Sequence, residues 1–243
     1  MSRSTCNRTN QRTLQTCLLL GLVSTTSLAH TAPVLDFNIS APTPSPALIS
    51  YAGSNTPLIG QDIQVDDIVG INTPLNSGTG AVIGCSTCIL NFATGNFSHA
   101  TTNSWEFTGG GSINITTSAD MDIDNDLTVD IFSGESLLSG TFTSASVIDF
   151  GTGPLEFMIT GGAFEDTKHS ALLDYFGLPL STTFIGGVNL SFAASANPGD
   201  AFSSSSVYSG DVVNQAVPLP AAGWLLLSSL AALGLYGRRK KTA

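Results

Sequence analysis

The sequence predicts an all-β protein, either an antiparallel β-sandwich or a barrel-like domain, with one short helix. Gly, Ser, Thr and Asn are abundant, whereas Lys, Arg, Glu and Gln, which favour surface helices, are scarce. From about residue 81 onwards, short segments of alternating apolar and polar residues are separated by Gly or Asn turns. Short strands with such frequent turn signals are typical of sandwiches and barrels.

This alternation predicts eight strands, at residues 88–92, 105–107, 112–116, 121–132, 137–143, 146–150, 155–160 and 184–193. Their irregular spacing does not support a regular solenoid. The predicted helix covers residues 168–176, after the N-capping residues Asp166 and Thr167. Gly177 can adopt the left-handed C-cap conformation, and Pro179 prevents the helix from continuing.

The N-terminal segment, residues 1–29, resembles a secretory signal peptide in all three of its parts. Arg3, Arg8 and Arg12 form a cationic start, and Ser27-Leu28-Ala29 matches the small-x-small cleavage pattern. The apolar core between them, residues 14–23, is too short to span a bilayer. We therefore predict export and cleavage by signal peptidase; a retained N-terminal anchor is the alternative.

Three segments follow the signal peptide. Residues 30–50 are predicted to be a spacer, because Pro at every second position from Pro42 to Pro46 favours an extended chain. Residues 51–193 are predicted to form an acidic, β-rich extracellular domain. The Ser/Gly-rich residues 194–216 are predicted to be a polar linker that leads to the C-terminal tail.

The charges are separated along the chain. All 18 acidic residues lie between Asp36 and Asp211, where Lys168 is the only Lys or Arg. Nucleic-acid phosphates attract Lys and Arg, so this body excludes nucleic acid as a partner. A body with this charge is disposed toward divalent cations instead.

Residues 120–131 contain the sharpest candidate site. Alternation with period two predicts a strand that places Asp120, Asp122, Asp124 and Asp126, with Asp130, on one face. One interpretation is a calcium site, since Ca²⁺ would relieve the repulsion of this carboxylate row; the other is a solvated face that protects a sheet edge. An EF-hand-type loop starting at Asp124 fits poorly, because Val129 occupies the position that needs Gly.

Cys85-Ser-Thr-Cys88 is predicted to form a local disulfide. Cys6 and Cys17 belong to the signal peptide, so no second cysteine pair remains to complete a zinc site. Redox activity would need a helix N-terminus and nearby positive charge, which this acidic strand context lacks. A structural disulfide in an oxidising compartment is therefore favoured.

The sequence contains no enzyme signature. Neither a G-x-S-x-G nucleophile elbow nor an H-E-x-x-H zinc motif is present. We therefore do not expect an enzyme. The alternative is a glycan-active hydrolase that takes its carboxylate pair from the four glutamates Glu106, Glu135, Glu156 and Glu165.

The C-terminal segment, residues 217–243, forms a tail in three parts. It begins with Val217-Pro218-Leu219-Pro220-Ala221, continues as an apolar run to residue 236 and ends in the basic residues Arg238, Arg239, Lys240 and Lys241. The apolar run is long enough for a transmembrane helix when it is counted from Ala216, and Trp224 and Tyr236 suit interfacial positions near its ends. The basic cluster is typical of a cytoplasmic membrane stop.

This order of motif, apolar helix and basic end resembles the VPLPA variant of the PEP-CTERM sorting signal. The resemblance covers only residues 217–243, and Leu219-Pro220 stands where the commoner form has Glu-Pro. It implies a Gram-negative bacterium with an exosortase, a membrane cysteine protease that recognises the motif and removes the tail. It also implies an inner-membrane intermediate, a final location at the cell surface or in the extracellular matrix, and a link to exopolysaccharide.

We therefore expect an exported structural protein of the cell surface or matrix, without a cofactor. Two alternatives share the same tail: a calcium-dependent adhesion or glycan-binding module, and the hydrolase described above. The adhesion module requires Ca²⁺ at the acidic run, and the hydrolase requires two carboxylates within about 5–10 Å of each other.

Overall fold

Twelve strands and one helix form the fold in the computed structural model, which describes residues 31–40, 46–151 and 156–217. The strands are β1 (Val34–Ile39), β2 (Leu48–Tyr51), β3 (Pro57–Ile71), β4 (Ile83–Ala100), β5 (Ser104–Phe107), β6 (Gly110–Thr117), β7 (Ser136–Phe142), β8 (Ala145–Asp149), β9 (Glu156–Lys168), β10 (Phe184–Ala193), β11 (Phe202–Ser204) and β12 (Val207–Ala216). The helix, α1 (Ser170–Tyr175), lies between β9 and β10. All strand pairings are antiparallel.

The strands close into an up-and-down barrel with eight strand positions. Four positions each consist of two short strands that follow one another. The strands β1 and β2 lie along β3, and β6 and β5 lie along β4. The strands β7 and β8 lie along β9, and β12 and β11 lie along β1 and β2. The last position pairs with the first, from Val34 opposite Gln215 to Ile39 opposite Gly210. This pairing closes the sheet on itself.

Alternate passes of the chain give the barrel two distinct ends. The helix end carries α1, the β3–β4 and β6–β7 connections, the start of β1 and the end of β12. The hairpin end carries the β2–β3, β4–β5, β8–β9 and β10–β11 connections. The chain therefore enters and leaves the barrel at the helix end.

The barrel interior is filled by apolar side chains that alternate with exposed ones along each strand. Aromatic rings dominate the half nearer the hairpin end. The Tyr51 ring lies 5.2 Å from that of Phe97, 5.4 Å from that of Phe107 and 5.9 Å from that of Phe202, measured between centroids. Buried Trp105 packs nearby, and its indole N–H donates to the carbonyl of Asp200 at 3.0 Å.

Two inward-facing glycines make room for phenylalanine rings. A Cβ on Gly60 would lie 2.1 Å from the ring of Phe92, and a Cβ on Gly186 would lie 2.1 Å from the ring of Phe164. These two strand glycines are therefore part of the packing, because each ring occupies the space that a larger residue would fill.

Helix α1 covers the helix end of the barrel. Leu172, Leu173 and Phe176 are buried, and the Phe176 ring packs so closely on β3 that a Cβ on Gly70 would lie 2.5 Å from it. The predicted C-cap is confirmed: Gly177 has φ +69°, and the next N–H closes a Schellman motif on the carbonyl of Leu173.

The predicted start of the helix is wrong. Residues 166–168 belong to β9, and His169 is the N-cap, whose Nδ1 accepts a hydrogen bond from the amide of Ala171. The strand prevails because Asp166 and Lys168 each pair with residues of β7, opposite Gly140 and Leu138.

Asp166 and Lys168 form an ion pair on the face of β9 that also carries buried Phe164. The ammonium nitrogen lies 2.6 Å from a carboxylate oxygen, both side chains are fully buried, and the ammonium also lies 4.4 Å from the centroid of the Phe184 ring. Burial lowers the pKa of Lys168 to about 8 and raises that of Asp166, although each charge partly offsets the effect on the other.

The fold confirms the predicted all-β class with one short helix and selects the barrel over the sandwich. Three boundaries are wrong. Residues 121–132 form a loop and not a strand, the predicted spacer contains β1 and the first three residues of β2, and the predicted linker contains β11 and β12. The long strand β3 was also not predicted, because the polar pairs Gln61-Asp62 and Asp66-Asp67 interrupt its alternation of buried and outward residues.

No helix among the described residues is long and apolar enough to cross a membrane. The predicted signal peptide at residues 1–29 and residues 218–243 of the tail lie outside the described residues. Ala216, from which the apolar run was counted as long enough for a transmembrane helix, is the last residue of β12.

We expect Gly186→Ala to destabilise the protein, because the added methyl would overlap the Phe164 ring and lie 2.8 Å from the Asn214 side-chain oxygen. Overpacking of this kind costs about 1–3 kcal/mol. The matched control is Gly187→Ala, since nothing lies within 4 Å of a Cβ there. Urea unfolding of both variants measures the difference, and equal unfolding midpoints would contradict this account of the interior.

We expect Asp166→Asn to cost about 3–5 kcal/mol, because it leaves the Lys168 ammonium buried without its partner. The double variant Asp166→Leu/Lys168→Met should recover most of that loss, since no buried charge remains. Unfolding free energies of the single and double variants measure this. A double variant as unstable as the single one would mean that the ion pair has a role that apolar packing cannot replace.

Candidate metal centre

The acidic loop, residues 118–135 between β6 and β7, lies at the helix end. Its two arms meet at an isolated antiparallel bridge, where the amide of Met121 donates to the carbonyl of Ile131 at 2.8 Å. Met121, Ile123 and Ile131 are buried and fix the loop to the core. The apolar residues whose alternation predicted a strand are therefore buried, but they anchor a loop and not a strand.

Three carboxylates meet within this loop. Each of Asp122, Asp124 and Asp130 can offer one oxygen so that the three oxygens lie within 4.8 Å of one another. No other such group of three acidic, histidine or cysteine ligands occurs among residues 31–40, 46–151 and 156–217. Carboxylate oxygens are the ligands that Ca²⁺ prefers.

Backbone hydrogen bonds hold these carboxylates in place. The amides of Asp126 and Leu127 donate to the two oxygens of Asp122 at 3.2 and 2.9 Å, and the amide of Ile123 donates to Asp130 at 2.9 Å. Asp124 also accepts from the amide of Asp126, at 3.0 Å. Backbone amides thus orient all three carboxylates.

The backbone corrects the register of the EF-hand comparison. Leu127 has φ +73°, in the left-handed region that usually requires Gly. When the loop is counted from Asp122 instead of Asp124, Leu127 occupies the sixth position, where an EF-hand has its Gly, and carboxylates fall at positions 1, 3, 5 and 9. The twelfth position is Ser133 and not the bidentate Glu, so the likeness is limited to the first nine positions.

Two of the four predicted ligands, Asp120 and Asp126, are not among the three carboxylates that meet. Asp126 accepts hydrogen bonds from the amide and the hydroxyl of Thr128, which lower its pKa. Asp120 accepts a hydrogen bond from the amide of Ser133 at 2.9 Å. The structure therefore brings together Asp122 and Asp124 of the predicted set and adds Asp130 to them.

The pKa of Asp124 reflects the charges of the neighbouring carboxylates. The hydrogen bond from the Asp126 amide lowers the pKa of Asp124, but desolvation and the neighbouring charges of Asp126, Asp130 and Asp122 outweigh it, so that the pKa is raised overall. Mutual repulsion of this kind is what a divalent cation would relieve.

A cleft of about 400 Å³ lies between the acidic loop and the start of β4. Asp120 and Asp122 line it on one side, and Gly84 and Thr87 line it on the other. The cleft is lined mainly by polar atoms, so it could admit a hydrated or hydroxylated ligand beside the carboxylates.

A disulfide between Cys85 and Cys88 supports the strand wall of this cleft. Its Cα atoms are 5.2 Å apart, and it spans a bulge in β4 at which the pairing with β3 shifts. The bulge directs the carbonyl of Thr87 to the acidic loop, where it accepts from the amide of Ser118 at 2.9 Å. The Cys88 sulfur also lies 3.9 Å from the sulfur of Met121.

Sequence reasoning missed a second acidic group, on the outer face of β3, β1 and β12. Burial, then the charges of Asp211 and Asp67, raise the pKa of Asp36 to about 6. The side-chain amide of Asn38 donates to Asp67 at 2.5 Å. The three carboxylates come from distant parts of the chain, so no local pattern could have indicated them.

The remaining predicted site residues are distributed as follows. Val217 is exposed, and its amide donates to the carbonyl of Thr183 at 2.8 Å. The rest of the sorting motif and the basic cluster Arg238–Lys241 lie outside the described residues.

The two glutamates whose side chains are described are not brought together. Glu106 lies on β5 toward the hairpin end, where it accepts hydrogen bonds from the hydroxyls of Ser104 and Ser146. Glu135 ends the acidic loop at the helix end, 3.5 Å from the imidazole of His169. These two residues therefore do not form the carboxylate pair that the hydrolase alternative needs.

Comparison of the chain with known protein families, with curated proteins and with solved structures found no match.

Proposed function

We propose that this protein is an exported, non-enzymatic structural component of the cell surface or extracellular matrix, sorted by an exosortase. The observation that carries the proposal is the order of segments in the C-terminal tail: the Val217–Ala221 motif, an apolar run and four consecutive basic residues. The fold agrees with it, because β12 ends at Ala216 and the motif begins at the next residue. Cleavage within the motif would leave every strand of the barrel intact.

In this proposal the chain passes through the inner membrane of a Gram-negative bacterium. Signal peptidase removes residues 1–29, the apolar run holds the C-terminus in the membrane, and the exosortase removes that run together with Arg238–Lys241. The acidic barrel, with Lys168 as its only Lys or Arg and that cation buried, then enters a matrix that contains exopolysaccharide.

We expect mature protein recovered from the native cells to end near Pro220, because the exosortase must cleave close to its motif. Intact-mass spectrometry of the cell and medium fractions measures this. The variant Pro218→Ala/Pro220→Ala should keep residues 221–243, whereas Pro179→Ala, an exposed proline outside the motif, should be processed normally. If wild-type protein keeps Arg238–Lys241 in every fraction, the tail is only a membrane anchor and the proposed processing by an exosortase is wrong.

We also propose a second candidate function, calcium-dependent adhesion or glycan binding by the acidic loop. The specific observation that favours it is the meeting of Asp122, Asp124 and Asp130 beside a polar cleft. A cation at the three oxygens would leave coordination positions for water or for the hydroxyls of a sugar, since Ca²⁺ takes six to eight oxygen ligands.

Under this second proposal, millimolar Ca²⁺ should raise the Tm of the wild-type protein, because a ligand that binds only the folded state stabilises it. Asp122→Asn and Asp124→Asn should abolish the shift, and Asp174→Asn, on the exposed face of α1, should keep it. Thermal unfolding with Ca²⁺ and with EDTA decides this. An unchanged wild-type Tm would eliminate the calcium site and leave the structural proposal standing.

A further inference from the structure

Exposed apolar side chains are concentrated at one end of the barrel. In the described part of the chain eleven large apolar side chains are exposed, and nine of them lie at the helix end. These nine form what we call the apolar rim: Ile71, Leu75, Val82, Leu127, Val129, Phe132, Leu180, Ile185 and Val217. The other two are Phe150, after β8 at the hairpin end, and Tyr208, at the start of β12. Exposed apolar side chains that gather at one end can serve as an interaction surface, whereas ones scattered singly need no explanation.

The most exposed members of the rim project from connections and not from the barrel wall. Leu127 is 94% exposed in the acidic loop, and Leu180 is 73% exposed in the segment after α1. Neither contributes to the core, whereas their neighbours Ile123 and Leu178 are buried. The acidic loop and the α1–β10 segment thus each hold one leucine away from the domain.

The chain leaves the barrel at this same rim. The amide of Val217 is bonded to the carbonyl of Thr183, so the last described residue is fixed beside β10. Only Pro218, Leu219 and Pro220 separate it from the apolar run that starts at Ala221. The four Cα–Cα steps from Val217 to Ala221 span about 14 Å at most, because an extended chain advances about 3.3–3.6 Å per residue.

From this juxtaposition we propose that the apolar rim docks on the lipid bilayer that holds the tail; the inference rests on the proposed membrane-held tail and deepens it. A connection of at most about 14 Å lets the rim reach the headgroup region, where side chains such as Leu127 and Leu180 leave water for an apolar environment. The helix end of the membrane-held precursor therefore contacts the bilayer, and its hairpin end points away from the bilayer.

The charge around the rim determines which lipid surface suits it. The acidic loop carries six carboxylates, and the only Lys or Arg among the described residues, Lys168, is buried in its ion pair. Docking is therefore driven by apolar contact and not by attraction to anionic lipids, which would repel the loop. Vesicles of phosphatidylcholine, which carry no net charge, are the appropriate probe.

The test uses the full chain with one environment-sensitive fluorophore. Cys6→Ser and Cys17→Ser remove the thiols of the signal segment, and Cys85 and Cys88 are joined in the disulfide, so one introduced cysteine is the single free thiol. Leu127→Cys and Leu180→Cys report on the rim. The matched controls are Phe150→Cys and Tyr208→Cys, the two exposed apolar positions outside it.

Each protein is reconstituted into phosphatidylcholine vesicles, recovered by flotation and compared with detergent-free protein in buffer. We expect the emission of both rim labels to shift to the blue on reconstitution, and the emission of both control labels to stay unchanged. Protein that floats with the vesicles while its rim labels remain in water would overturn the docking proposal and leave the tail intact as an anchor. Protein that does not float at all would instead overturn the membrane-held tail.

A rim that pairs with a second copy of this chain is the competing outcome. In that case the rim labels would already be shifted in buffer, and the shift would depend on protein concentration and not on lipid. That result would also overturn the docking proposal.

Discussion

The hydrogen-bonded pairing of β1 with β12 is the constraint on which the rest of the structure depends. It joins the first described strand to the last, although all the other strands lie between them in the chain, and leaves the barrel positions without a free edge. Because the sheet is closed, every inward side chain must fit a space of fixed circumference. The pairing of Phe92 with Gly60 and of Phe164 with Gly186 is the result of that limit.

Closure also determines where the irregular parts of the chain can lie. In an up-and-down barrel, the strands are connected only at the two ends. The longer connections lie at the helix end; they are the β3–β4 segment, the acidic loop and the segment that contains α1. Phe176 and the neighbouring leucines close this end with apolar contacts, and the buried Asp166–Lys168 ion pair lies at the end of β9, next to the Phe184 ring. The acidic loop is attached to the same end by Met121, Ile123 and Ile131, so its carboxylates are held on a rigid base.

Local signals in the sequence were sufficient for the fold class, the C-cap at Gly177 and the existence of a carboxylate cluster. They were insufficient wherever a distant partner decided the outcome. Pro42, Pro44 and Pro46 indicated a spacer, yet β1 and β2 on either side of them are strands because β3 and β12 pair with them. Residues 121–132 have the period of a strand, but Asp126 and the left-handed residues Asn125 and Leu127 turn the chain into a loop. Asp36, Asp67 and Asp211 lie on three different strands, and only the register between these strands brings the three carboxylates together.

The closed antiparallel barrel has one more consequence, for engineering. Because Val34 and Gln215 are directly paired, the two ends of the domain leave from neighbouring points on one side. The four connections of the hairpin end, such as residues 101–103 between β4 and β5, are therefore all on the side opposite both ends. A peptide inserted there would project from the end of the barrel opposite both chain ends, and the length of the barrel would separate it from them.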